Sequence, residues 1–185
     1  MASKLIIGVE DGSFKNFDRK NGYTILCCVL MNNYKILKVL LSKIQVDGFD
    51  ATSKLLKTIG DIEGSTIILG GITFAGFNII DPIKVFEEKH SPIIIYSGKK
   101  PNSEKMMSAL KKHFKDWDER WGIIERLGKL YEYKVKTGDP PIYFEVVGET
   151  PEYAENVLKN CAIACRIPEP VRVAKLIARG ISLRG

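Results

Sequence analysis

The chain has 185 residues, 45% hydrophobic and 27% charged, which is the balance of a globular protein that folds around its own core. No apolar run approaches the roughly 18 residues that a membrane-spanning helix needs, and a chain of this size buries about 70% of its unfolded surface without disulfide or metal staples. A net charge of +6 and a pI of about 9.1 favour an anionic partner over a cationic one.

Lys4 to Glu10 alternates as a first strand, with Leu5, Ile7 and Val9 on one face, and Asp11-Gly12-Ser13 ends it. A polar stretch, Lys15 to Gly22, reads as a loop. Tyr23 to Met31 and Tyr34 to Ile44 read as long antiparallel strands around the turn pair Asn32-Asn33. Asp50 is placed to cap a helix whose apolar face carries Leu55, Leu56 and Ile59. Thr66 to Leu69 is a buried fourth strand. Asp81-Pro82 opens a short helix ending near His90. Pro92 to Tyr96 is a fifth strand, Asn102 to about Lys115 a helix, and Trp117 to Leu127 another, capped by Asp116 and stopped by Gly128. A small hairpin, Tyr131 to Lys136 with Ile142 to Val147, turns around Thr137-Gly138-Asp139-Pro140-Pro141. Two helices close the chain, Thr150 through Cys165 and about Pro168 to Arg179 with Gly180 as cap.

This order predicts one α/β domain over residues 1–185, a ribonuclease H-like mixed sheet flanked by helices. The opening Met1-Ala2-Ser3-Lys4 carries no signal-peptide pattern, so a cytoplasmic location is expected. Cys27 and Cys28, neighbours on a strand, face opposite ways and cannot share a ligand. With only two histidines in the chain, these thiols and those of Cys161 and Cys165 read as free and buried. The tail from Arg166 on carries Arg166, Arg172, Lys175, Arg179 and Arg184 against Glu169 alone.

Leu69-Gly70-Gly71-Ile72-Thr73-Phe74-Ala75-Gly76-Phe77-Asn78 follows the fourth strand. Its glycines let a backbone turn tightly or approach a ligand. If strands one, four and five are parallel neighbours, their carboxyl ends bring Glu10 and Asp11, this glycine loop, and Lys99 and Lys100 together, as sites in α/β folds are built. Asp47 and Asp50 come from the segment after strand three. Carboxylates from separate strand ends suit magnesium, and lysines beside them suit phosphates. The same residues also read as turn formers, a helix cap and a solvated loop. Phe74 and Phe77 suit either base stacking or burial under the loop, while Trp117 and Trp121 have the spacing of helix packing.

The stretches Gly8-Val9-Glu10-Asp11-Gly12-Ser13-Phe14, Val46-Asp47-Gly48-Phe49-Asp50-Ala51-Thr52, Gly71 through Asn78 with Asp81, Lys99-Lys100-Pro101, His113-Phe114 with Asp116-Trp117, and Pro168-Glu169-Pro170-Val171-Arg172-Val173-Ala174 run through nearly the whole chain. In these the chain resembles an archaeal family, domain of unknown function ninety-nine, which is related to endonuclease V and has a member described as endonuclease dU. The resemblance implies a ribonuclease H-like fold and magnesium- or manganese-dependent cleavage of DNA, single-stranded or damaged, at deoxyuridine or deoxyinosine. It implies Glu10 or Asp11 as the first catalytic carboxylate and Asp50 or Asp47 as the later one, with the metal held by Glu10 or Asp11 together with Asp50, and Asp81 as an outer carboxylate. Thr73, Phe74, Phe77, Lys99, Lys100, Arg172 and Lys175 are then the nucleic-acid contacts. Three departures stand out: Glu10 where related sequences carry Asp, Gly70 where they carry Asp, and Lys175 where they carry His. Two functions are therefore expected in competition: an endonuclease V-like nuclease weakened at Gly70, or a catalytically inactive relative that keeps the nucleic-acid cleft for damage recognition or assembly.

Overall fold

A computed structural model describes residues 5–14, 22–136 and 138–182. The expected loop from Lys15 to Gly22 lies, but for its last residue, outside the described residues, as does Thr137. The elements in chain order are β1 Leu5–Asp11, β2 Tyr23–Asn32, β3 Lys35–Gln45, α1 Ala51–Ile59, β4 Ser65–Leu69, β5 Thr73–Phe74, β6 Asn78–Ile79, α2 Pro82–Lys89, β7 Ile93–Ser97, α3 Ser103–His113, α4 Trp117–Glu125, β8 Tyr131–Tyr133, β9 Ile142–Val147, α5 Pro151–Cys161 and α6 Glu169–Ser182.

Seven strands form one mixed sheet in the order β3-β2-β1-β4-β7-β9-β8. β1 pairs parallel with β4, and β4 parallel with β7, so their carboxyl ends share one edge of the sheet as expected. β2, β3, β8 and β9 extend the sheet on either side through antiparallel pairs. β1 is buried on both faces, its successive side chains entering opposite layers. Ile7 and Val9 join a core with α1, α2 and the glycine loop, while Ile6 joins a second core with Phe144, Val157 and Leu158. A third cluster, Cys27, Val29, Met31, Ala174 and Ala178, packs α6 on β2.

Two helix ends differ from expectation. α5 stops at Cys161, and the segment beyond it is held by Arg166, which donates from Nη1 to the carbonyls of Gly98 and Pro141. α6 continues past Gly180 to Ser182, whose hydroxyl donates to the Ala178 carbonyl. Cys27, Cys28 and Cys161 are buried free thiols, and burial pushes those of Cys27 and Cys161 up to about 11. Cys165 is exposed instead, since it lies beyond the helix. β3, the outer strand, leaves Ile36, Leu37, Val39 and Leu41 exposed. Among the described residues no helix is long and apolar enough to cross a membrane.

Candidate functional site

Ile6, Gly8, Glu10 and Gly12 share the face of β1 that α6 covers. Gly8 has no room for a side chain: a Cβ there would collide with the backbone of Pro170 and Val171. A Cβ on Gly12 would run into Ser182 and Ala178. The two glycines let α6 lie close along β1, and Glu10 between them is carried under the helix, 5% exposed. A carboxylate buried this deeply needs a cation or a proton. Lys175 of α6 supplies the cation, donating from Nζ to Glu10 Oε1 at 2.9 Å. Burial raises the Glu10 carboxyl above its ordinary range, and the Lys175 charge and hydrogen bond pull it part of the way back.

Gly70 follows β4, and its amide donates to the Val9 carbonyl at 2.9 Å. A Cβ at this position would stand 2.5 Å from both Cδ and Oε1 of Glu10. The longer acid at position 10 thus fills the space in which a side chain at position 70 would begin. The pair Glu10 and Gly70 is one packing solution.

Asp11 points to the opposite layer. Its Oδ2 accepts from the Ala75 amide in the glycine loop. Burial raises its carboxyl too, opposed by that hydrogen bond and by the charges of Lys175 and Arg179. The loop itself is a tiny hairpin, β5 against β6, turning through Ala75 and Gly76 at positive φ. Asp47 Oδ1 accepts from the Phe77 amide at 2.9 Å and lies so close to Gly76 that no side chain fits there. Asp50 stands at the start of α1 without capping it. Its Oδ1 accepts from the Gln45 amide at 3.1 Å and from Asn78 Nδ2 at 2.7 Å. The amide of Ala51 is met by Asn78 Oδ1 at 2.9 Å. Asp81 caps α2 through the amides of Ile83 and Lys84 and pairs with Arg126 at 2.9 Å, so its carboxylate serves the fold.

Sequence reasoning missed Arg120. It is 4% exposed, between Trp117 and Trp121, which are only half-buried. Its guanidinium donates to the carbonyls of Asp47, Gly48 and Phe77 and pairs with Asp116 at 2.9 Å. It also lies 4.4 Å from the Phe114 ring centroid and 5.0 Å from that of Phe49. One side chain therefore clamps the 47–50 segment to the glycine loop. Asn78, fully buried, does the same from below. The Asp116/Arg120 spacing of four was the only signal for the first; polar Asn78 closing an apolar glycine loop was the signal for the second.

Of the expected nucleic-acid contacts, Phe74 is 1% exposed and belongs to the core, which corrects the expectation of a stacking ring. Phe77 is half-buried, edge-on to Phe114 at 5.4 Å, and Thr73 is half-buried at the start of β5. Arg172 is held by Glu169 in a two-pronged pair, Nε to Oε2 at 2.8 Å and Nη2 to Oε1 at 2.6 Å. Lys99 and Lys100 are exposed beyond β7. Beside them a cleft of about 440 Å³ opens between Tyr96, Gly98, Lys99, Cys165 and Arg166. Burial raises the Tyr96 hydroxyl in its wall, and the Arg166 charge opposes that rise.

Magnesium needs oxygen ligands from converging side chains. Among the described residues no three acidic, histidine or cysteine side chains come together to hold an ion. Glu10 is neutralised by Lys175, Asp47 and Asp50 are spent on amides, and Gly70 offers nothing. The expected gathering of Glu10, Asp11, Asp47 and Asp50 around one divalent ion is not met, and the residues present do not fit that ion.

The endonuclease dU family model matches residues 4–182. A UPF0215 protein of Thermococcus gammatolerans is 36% identical over 182 residues, covering 95% of this chain and 91% of its own. A solved protein of unknown function from Archaeoglobus fulgidus superposes with a TM-score of 0.80 at 29% identity, covering 96% of each chain. Endonuclease V of Ciona intestinalis, solved with DNA containing an inosine, superposes with a TM-score of 0.61 at 16% identity over 98% of this chain and 87% of that one. This last likeness is one of fold, the ribonuclease H-like mixed sheet that the strand order already described. With a family model spanning nearly every residue and archaeal relatives matched end to end, the chain belongs to the endonuclease dU family.

Proposed function

We propose that this protein binds DNA carrying deaminated bases along the groove at the carboxyl ends of β1, β4 and β7, and that it does so as a recognition or assembly module of its family. The observation that carries the reading is the Glu10–Lys175 ion pair packed against Gly70, where a hydrolytic centre would need carboxylates free to take up an ion. Exposed Lys99, Lys100 and Arg179 and the partly exposed Lys175 line the approach, and the overall charge favours a polyanion. The inosine-containing DNA held by the Ciona endonuclease V supports the choice of a deaminated base. The test is fluorescence anisotropy with duplexes containing deoxyuridine, deoxyinosine or neither. Affinity should fall steeply as salt rises and should favour the deaminated duplexes; an affinity indifferent to salt overturns the reading.

A second reading is hydrolysis of a phosphodiester near the deaminated base, dependent on magnesium or manganese and weakened by Gly70. The span of the endonuclease dU family match favours it, against the lack of gathered carboxylates among the described residues. Nicking of a deoxyuridine or deoxyinosine duplex with magnesium, above that of a Glu10→Ala/Asp11→Ala control, establishes this reading; nicking equal to the control removes it.

A further inference from the structure

We propose that the Lys175 ammonium is a tethered cation standing where a divalent ion would have to sit, and that DNA docks by placing a phosphate on it with no metal required. This rests on the DNA-binding reading above and names the contact at its centre. Three observations converge on it. Glu10 is buried under α6, and its charge is already matched by Lys175 at 2.9 Å. The space beside it is full, because any side chain at position 70 would begin 2.5 Å from the Glu10 carboxyl. Among the described residues the one other acid whose charge reaches Glu10, Asp11, is turned away onto the Ala75 amide. A divalent ion entering here would meet an ammonium of like charge and a single carboxylate that is already engaged.

Lys175 itself is not used up. An ammonium has three donors, one of which is committed to Glu10, and the side chain is 39% exposed. Arg179, one turn further along α6, is exposed, and its charge reaches Asp11. Glu10 therefore serves as a positioning residue. It holds the ammonium at the sheet edge, as a fixed point charge for a phosphate oxygen.

The experiment uses the full-length chain with Mn²⁺ as the probe, read by electron paramagnetic resonance, alongside anisotropy of a deoxyinosine duplex. The parent should show no stoichiometric Mn²⁺ site, and its DNA affinity should be the same in EDTA and in Mn²⁺. Lys175→Met removes the ammonium from a half-exposed position that tolerates an apolar stem. It should lower the salt slope of DNA binding by about 1 in EDTA, and it should raise Mn²⁺ affinity about tenfold or more by unmasking Glu10. Lys175→Arg keeps the charge and should retain the parent's slope and its indifference to EDTA. A parent Mn²⁺ site that is lost in Glu10→Gln overturns the inference, as does a Lys175→Met protein unchanged in both readouts. Should no duplex bind under any condition, the DNA-binding reading falls on that result alone, and the phosphate contact falls with it. The Mn²⁺ titration still decides separately whether Lys175 occupies the place of the ion.

Discussion

At the scale of single residues, the site depends on Glu10 and Gly70 acting as one unit. Gly70→Ala should destabilise the fold by about 1–3 kcal/mol, since the buried Glu10 carboxyl cannot move aside without leaving Lys175. The same substitution in a Glu10→Ala background should cost much less, and urea unfolding of the four proteins measures that coupling. It follows that returning a carboxylate to position 70 alone creates no ion site, because the acid already present occupies its volume. A half-buried acid lies apart from the groove. Burial raises Glu145 on β9 to about 7, against an ordinary value of 4.5. The unfolded chain releases this proton near 4.5 and the folded chain only near 7, so this group's contribution is complete below the lower value and is lost as pH rises through the upper one. Glu145→Gln should therefore raise the melting temperature more at about pH 8 than at about pH 5, in thermal melts at the two values.

At the scale of elements, the decisive contact is α6 on β1. A methyl group at Gly8 would meet backbone of Pro170 and Val171, which no rotamer change relieves. Gly8→Ala should lift the first turn of α6, lower stability by about 1–3 kcal/mol and weaken DNA binding by displacing Lys175, as read by thermal melts and anisotropy together. The strands were legible because β1, β4 and β7 are apolar runs bounded by glycine, proline and charge, and their pairing follows from the order of the elements. The ends of α5 and α6 were not: beyond α5 the segment is held by Arg166 on the Gly98 carbonyl, and Ser182 closes the last turn of α6. The acids of the site were readable as acids, but their uses were not. Asp47, Asp50 and Asp81 look like ligands in one dimension, and only their neighbours Phe77, Asn78 and Lys84 reveal that they bind amides. Arg120 escaped notice because its spacing of four from Asp116 signals an ordinary ion pair on a helix surface, and its place between two tryptophans gives no sign of burial.

At the scale of the whole molecule, positive charge does two jobs. Lys99 and Lys100 carry it beyond β7 and Lys175 and Arg179 along α6, where a polyanion would gather it in. It is also spread along β3, an outer strand that leaves Ile36, Leu37, Val39 and Leu41 facing water. An outer strand of eleven residues with one unpaired edge and exposed apolar side chains is a template for another copy of itself. Lys35, Lys38 and Lys43 punctuate it, and two such strands brought side by side would set like charges against each other. Dissolved ions mask both sets of charges over about 8 Å at physiological strength. The brine that would strip nucleic acid from the groove would also silence the repulsion that keeps neighbouring sheets from zipping together, so the protein is best guarded against clumping in the dilute electrolyte where it grips its polyanion hardest.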